Sequence, residues 1–331
     1  MFTVFNLIFR SLFSSWAELA TGVNTGCGGN GDARTRYLED LQHSFFQHHQ
    51  CGILPELNKN GHFHAQSLEK DIIKATVLIR CNSLLRGHSA VRLEIPQYLI
   101  KLLNENILPL IPKRGSISAS GDLAPLSYVG GLLEGSPEIY VWVDDGDRAK
   151  CRVKSAKDAL EQIGLAPLRM RAKEGLSIVN GTSVSTAAAV LVIHDSHNLA
   201  LLSQLLTAMG TEALLGTVDN FDSFISRCRP HPGQAEVAEN IWSFLQGSKL
   251  SYRRDSKTVG LVQDRYAVRT APQWIGPHIE DLLLAERQVN VELNSSTDNP
   301  LIDEAQSRIH YGGGTFKQHP LLQLWKRHGR L

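Results

Sequence analysis

This sequence predicts a mainly α-helical protein, and three observations carry that expectation. From Ser183 to Leu215 the chain runs without proline, rich in Ala, Leu and Val and interrupted only by Gly210. Such a run is expected to form one long, largely buried helix or a helix pair. Ser67 precedes Leu68, Ile72, Ala75 and Ile79, which recur at i, i+4, i+7 and i+11, so an amphipathic helix capped by Ser67 is expected there. Only Glu138 to Val153, with Asp144-Asp145-Gly146 inside it, carries a convincing strand signal, and it reads as a short hairpin. The expected core is a helical bundle.

The remaining elements follow in chain order. Met1 to Phe13 is apolar apart from Thr3, Asn6, Arg10 and Ser11, but no basic start precedes the apolar run. It reads as a buried or misassembled leader, with a secretory signal as the alternative. A transmembrane helix needs about 20 mainly apolar residues, and no other segment is expected to span a bilayer. Gly22 to Asp32 holds five glycines among turn formers and is expected to be a loop. Gln97 to Asn106 is expected to be a helix, as is Pro277 to Leu293. In the latter, Ile279, Leu282, Leu283 and Val289 give a core-facing side, with Pro277 near the first turn. No internal repeat or low-complexity tract is visible.

Composition narrows the function classes. With 331 residues, of which 42% are hydrophobic and 20% charged, the chain can bury a substantial core in one large or two modest domains. Lys and Arg number 34 against 33 Asp and Glu, so no charge imbalance points to nucleic acid or an anionic membrane. Small-molecule chemistry is the simpler expectation. Five cysteines, at 27, 51, 81, 151 and 228, form no CxxC pair and leave an odd thiol. That fits a reducing, cytoplasmic compartment better than a disulfide framework, and zinc spacing is absent.

The segment with chemistry of its own is Arg114-Gly-Ser-Ile-Ser-Ala-Ser-Gly-Asp-Leu-Ala-Pro-Leu126. Within it, Ala119-Ser120-Gly121 can cyclise if the Gly121 nitrogen attacks the Ala119 carbonyl. The step needs small side chains and a tightly bent backbone, and glycine supplies an unhindered nitrogen tolerant of positive φ. Loss of one water from the ring carbonyl and one from the Ser120 hydroxyl leaves a methylene conjugated to the ring, a strong electrophile. Taken alone, an Ala-Ser-Gly triplet is more often a turn or flexible loop. A phosphate-cradling loop is a weaker rival, because the Gly-Lys-Ser/Thr ending is missing.

Four further segments stand with it: Gly22-Val-Asn-Thr-Gly26, Val179-Asn-Gly-Thr182, Gln263-Asp-Arg-Tyr-Ala-Val-Arg269 and Thr297-Asp-Asn-Pro300. In this order they make the chain resemble the aromatic amino acid ammonia-lyases, in particular the fungal phenylalanine ammonia-lyases. The likeness runs from about Gly22 to Asp303. It implies a fumarase/aspartase-like helical bundle with an N-terminal, loop-rich domain carrying the Ala-Ser-Gly segment, assembled as a homotetramer. The cofactor it implies is 4-methylidene-imidazol-5-one, made from Ala119-Ser120-Gly121, with no metal or external cofactor. On this resemblance residues 1–20 are an unmatched leader, 21–175 the cofactor domain, 176–303 part of the central bundle and 304–331 a divergent tail.

The resemblance also implies roles. Asn180 and Asn299 match asparagines near cofactor and substrate, which suits an amide that both donates and accepts. Arg269 matches the arginine that grips the substrate carboxylate, where a planar guanidinium makes bidentate bonds. Tyr266, three residues earlier, shares a face with it if the segment is helical, and its match lies beside the cofactor as a proton handler. Gln263 belongs to the same shell. His48 and His49 open the stretch His48-His-Gln-Cys-Gly-Ile-Leu-Pro55, similar to the fungal pattern His-Gln-Leu-Cys-Gly-Val-Leu-Pro. A histidine there implies acceptance of L-tyrosine beside L-phenylalanine. The bland alternatives are capping asparagines, a surface arginine, a core tyrosine and solvated histidines.

The implied reaction is elimination of ammonia from L-phenylalanine to give trans-cinnamate. Thr21 departs from the pattern, because the family places its tyrosine base at this position. A threonine hydroxyl has no accessible anion near neutral pH, whereas a phenol with pKa around 10 can be tuned. Cys27 replaces a usual phenylalanine. After Asp303 the sequence leaves the family pattern, so the bundle is expected to be incomplete. Two alternatives stand beside the lyase reading: an inactive relative that only associates with full-length subunits, and an aromatic aminomutase.

Overall fold

Ile73, Val77, Cys81 and Leu84 repeat every three or four residues along helix Lys70–Leu85, and all four are buried in one core. The chain is described here by a computed structural model covering residues 23–26, 33–53, 66–116, 123–143, 152–254, 263–306 and 308–312. It divides into two compact units. The first comprises Met1–Ala189 with Asn290–Leu331, and the second Val190–Val289.

In the first unit, helices α1 (Leu38–His49), α2 (Lys70–Leu85) and α3 (Glu94–Asn104) lead to the short strand β1 (Leu108–Pro109). Helix α4 (Leu123–Leu133) follows the Ala-Ser-Gly segment. Strands β2 (Tyr140–Val143) and β3 (Arg152–Ser155) come next, then α5 (Ala156–Gln162) and α6 (Glu174–Val179). The three strands form an antiparallel sheet in the order β1-β2-β3, with Leu108 opposite Trp142 and Val141 opposite Lys154. The hairpin expected between 138 and 153 is therefore present. Ser155 caps α5, its hydroxyl accepting from Asp158 N at 3.1 Å.

Helices α1, α4 and α6 pack on one another through small residues. A Cβ at Gly130 of α4 would run into the Phe46 ring of α1, and one at Gly175 of α6 would lie 2.8 Å from Gln42 Cβ. Gln42 is itself buried, and its Oε1 accepts from Leu176 N at 3.1 Å.

The long helix α7 (Ser183–Ala213) carries the chain out of the first unit, and α11 (Ala271–Leu293) brings it back. Between them lie a 3-10 turn (Val218–Phe221), α8 (Ser223–Cys228), α9 (Pro232–Phe244) and α10 (Tyr266–Arg269). Asp222 caps α8, accepting from Phe224 N at 2.8 Å, and Pro232 opens α9. The second core joins Ala208, Phe221, Val237, Ile241, Ala271, Ile275 and Ile279. Strands β4 (Leu301–Asp303) and β5 (Arg308–His310) close the described chain as a two-stranded sheet.

Several expectations need correction. Ser67 does not cap α2; it is buried in an isolated bridge with Pro112, and Glu69 takes the cap position. The stripe is shifted by one residue, because Leu68 still pairs as extended chain, its N–H donating to Ile111 O. Helix α7 is one unbroken helix through Gly210, but it is not largely buried. Leu199, Leu201, Leu202, Leu205, Leu206 and Met209 are exposed, while Gln204, Ala208 and Thr211 face inward. Gln204 satisfies its buried amide by accepting from Asn240 Nδ2 at 2.8 Å and donating to Ala200 O.

Pro277 lies well inside α11 rather than near its start, and Leu283 is exposed. The lost N–H is outweighed by Ile275 and Ile279 packing in one core on either side of it. The β4–β5 pair carried no recognisable signal at three residues each. By length and composition alone one stretch, Glu174–Ala213, is also apolar enough to cross a membrane, with 67% of its most apolar window buried inside the protein.

These contacts make two glycines behave oppositely. Gly130→Ala should destabilise the chain by about 1–3 kcal/mol through overpacking against Phe46. Gly210→Ala meets no atom within 4 Å and should stabilise it by roughly 0.5–1 kcal/mol. Denaturant unfolding of both variants checks the pair, and equal shifts would contradict this packing.

Candidate functional site

Helix α6 ends at Val179, and the chain turns through Asn180, Gly181 and Thr182 before α7 begins. That turn meets the segment Thr297–Pro300. Asn180 Nδ2 donates to Asn299 O at 2.8 Å across 119 residues of chain. Thr182 N donates to Thr297 Oγ1 at 3.2 Å, and Thr182 Oγ1 donates to Glu292 Oε2 at 2.8 Å. The peptide bond Asn299–Pro300 is cis. Two of the motifs found in the sequence are thus brought together, with Asn180 only 8% exposed.

Beneath this turn lies a cluster of buried charges that sequence reasoning missed. Lys173, Asp298 and Arg80 are each fully buried. Lys173 Nζ donates to Asp298 Oδ2 at 3.0 Å, Ser177 Oγ at 2.8 Å and Ser89 O at 2.9 Å, which uses all three of its protons. Its backbone stands in the left-handed region at φ 69°, a conformation costing a residue with a side chain about 1–2 kcal/mol.

Arg80 Nη2 donates to Ser177 O, while its Nε and Nη1 find no partner among the described residues. Burial pulls both cations below their ordinary pKa values, with the Asp298 charge opposing the fall. Sequence held one usable sign: Arg80 continues the buried stripe of α2 beside Cys81, where an apolar residue is expected. Lys173 offered none.

Ala119, Ser120, Gly121 and Thr21 lie outside the described residues, but both flanks of the Ala-Ser-Gly segment are held. On one side Ile53 N donates to Arg114 O at 3.3 Å, and a Cβ at Gly115 (φ 131°) would lie 2.8 Å from Gly52 Cα. On the other, α4 is buried from Ala124 to Leu133. Its Tyr128 hydroxyl accepts from Gly52 N at 3.0 Å, and Ser127 O accepts from Gln50 Nε2 at 2.9 Å. Burial pushes the Tyr128 phenol up.

The His48 stretch is therefore fastened to both ends of the segment. His48 is exposed at the end of α1, its ring edge-on to His49 with centroids 5.2 Å apart. His49 is turned back on its own helix, with Nδ1 donating to Phe45 O at 2.6 Å. The Ala119-Ser120-Gly121 triplet lies in sequence between these two held flanks.

In the second unit, Tyr266 and Arg269 share a face of α10 as expected, with the guanidinium 4.5 Å above the phenol ring. Arg269 Nε is buried without a hydrogen bond among the described residues. Tyr266 is 71% exposed and Gln263 is exposed too. Between them, Asp264 Oδ2 accepts from Thr217 N at 2.8 Å and Asn220 Nδ2 at 2.5 Å, which ties the segment down.

Residues 14–324 match the family model described as aromatic amino acid lyase. The chain is 47% identical over 309 residues to a phenylalanine ammonia-lyase of Aspergillus lentulus, covering 89% of this chain and 42% of that protein. It is 44% identical over 311 residues to a phenylalanine aminomutase (L-β-phenylalanine forming) of Talaromyces islandicus, covering 93% and 43%. Its fold is similar to the crystal structure of phenylalanine ammonia-lyase from Rhodosporidium toruloides, with TM-score 0.79 and 43% identity, over 83% of this chain and 42% of the other. The chain thus spans about two fifths of the length of these curated relatives.

Breaking the buried pair tests the cluster. Asp298→Ala should cost about 3–5 kcal/mol of stability, because Lys173 would be left uncompensated. Adding Lys173→Met should recover part of the loss. A variant lacking Asp298 that unfolds at the wild-type denaturant concentration would contradict the pairing.

Proposed function

This chain belongs to the aromatic amino acid lyase family, and from that premise we propose that it eliminates ammonia from L-phenylalanine, and from L-tyrosine as well, giving trans-cinnamate and trans-coumarate. The observation that carries the reading is the Asn180–Asn299 hydrogen bond, which joins two distant motifs in one place. In this reading residues 21–175 hold the cofactor and 176–303 form part of the central helical bundle.

The β-hydrogen of an aromatic amino acid is far less acidic than any side-chain acid, so the substrate needs activation before elimination. The 4-methylidene-imidazol-5-one expected from Ala119-Ser120-Gly121 supplies an electrophile for that purpose. The chain's own residues bind and orient. Arg269 receives the substrate carboxylate, its plane steadied by the Tyr266 ring. Tyr266 handles protons and Gln263 completes that shell. Asn180 and Asn299 supply amide dipoles, and exposed His48 meets a phenolic hydroxyl. Thr21 offers no base, which predicts slow proton removal.

The apolar outer face of α7, with Leu199, Leu202 and Leu206 exposed, supports association, and we propose a homotetramer in the cytoplasm. The aminomutase relative, at 44% identity, favours one second reading: release of β-phenylalanine rather than cinnamate.

Intact mass is the first test. The purified chain should weigh two waters less than its sequence, and Ser120→Ala should restore the full mass; a folded chain with no deficit sinks the proposal. Incubation with L-phenylalanine should yield cinnamate, and β-phenylalanine as the main product would favour the mutase. Thr21→Tyr should raise the lyase rate by roughly 10²- to 10⁴-fold, the usual range for a general base. No change in a cyclised protein would refute the account of the missing base.

A further inference from the structure

Arg80 is the most deeply buried guanidinium among the described residues, and the roles above make no use of it. It grows from α2, passes under the Asn180 turn and donates through Nη2 to Ser177 O, three residues before Asn180. Its Nη1 packs so tightly against Gly181 that a Cβ there would collide with it, and the same Cβ would lie 3.1 Å from Thr297 Oγ1. The guanidinium therefore touches the chain on both sides of Asn180. Lys173 meanwhile holds Asp298, the residue before Asn299, at 3.0 Å. Two cations and one carboxylate thus lie buried under both asparagines.

A leucine or methionine would fill this space without the penalty of burying a charge with two nitrogens that find no partner among the described residues. Sites that keep such a cost are where function is expected. We propose that Arg80 is a positioning residue for the Asn180–Asn299 pair: the planar guanidinium, wedged between Ser177 O and Gly181, sets where the Asn180 amide stands. The proposal rests on reading these asparagines as substrate-side groups. It goes further in assigning their placement to a charge on another helix.

The test compares Arg80→Lys, which keeps the charge but loses the rigid fork, with wild type and Asn180→Ala. In Arg80→Lys the two water losses should persist, KM for L-phenylalanine should change little, and kcat should fall roughly 10- to 100-fold, as expected for a misplaced group. The double variant should be no slower than Asn180→Ala beyond about twofold. A role confined to stability would instead give additive losses.

A second readout needs no turnover. Proton exchange at the Asn180 side-chain amide, followed by NMR, should be slow in wild type and accelerated in Arg80→Lys. If Arg80→Lys does not fold, Gly181→Ala carries the test, because it pushes the guanidinium aside without altering charge and should accelerate the same exchange. Unchanged amide exchange in a folded variant, or additive kinetics, overturns the proposal. A wild type without lyase activity sinks the functional reading and leaves the amide test standing.

Discussion

The contact between Lys173 and Asp298 is the constraint on which the first unit's arrangement turns. One ammonium joins Ser89 after α2, Ser177 in α6 and Asp298 before the cis bond. Without it, the left-handed backbone at Lys173 has no compensation, and α6 loses the residue that starts it. A buried ion pair adds little net stability over well-packed apolar side chains, yet removing one partner is strongly destabilising. Its effect here is to permit one arrangement of three distant segments. Asn180 and Asn299 each lie within reach of that arrangement.

Close backbone approach works alongside this charge. Gly130 against Phe46, Gly175 against Gln42 and Gly181 against Arg80 each leave no room for a Cβ. Each therefore fixes the separation of two elements to within a few tenths of an ångström, since packed interiors do not deform gradually. The His48 stretch is held the same way, by Gly52 against Gly115 and by the Tyr128 hydroxyl. The second unit relies on other means. Asp264 gathers Thr217 and Asn220, and the inward side of α7 is partly polar, with Gln204 and Thr211 buried.

Much of the helical content was legible because periodicity and turn residues act locally. The α7 run, α3 and the 140–155 hairpin were all visible in this way. Errors arose where a distant contact overrode the local signal. Ser67 looks like a cap by its neighbours, but Pro112 pairs with it in an isolated bridge. Pro277 looks like a helix start, but the core through Ile275 and Ile279 extends the helix behind it. The leucines of α7 look like core, but Gln204 and Thr211 take the inner side. Hydropathy cannot distinguish a face turned to this chain from one turned outward.

For the site, the Ala-Ser-Gly triplet carries its own chemistry in the sequence, while the other candidate residues were picked out by the resemblance to the lyase family. Only Ala-Ser-Gly among these segments can make an electrophile from the chain itself, and only an arginine offers a planar fork to a carboxylate. Tertiary structure decided what those residues rest on. Arg80, Lys173 and Asp298 lie far apart in sequence, and no local pattern links them, so the charge they bury together exists only once the helices pack. A buried cation is unfavourable in every local context, and only long-range contacts can offset that cost.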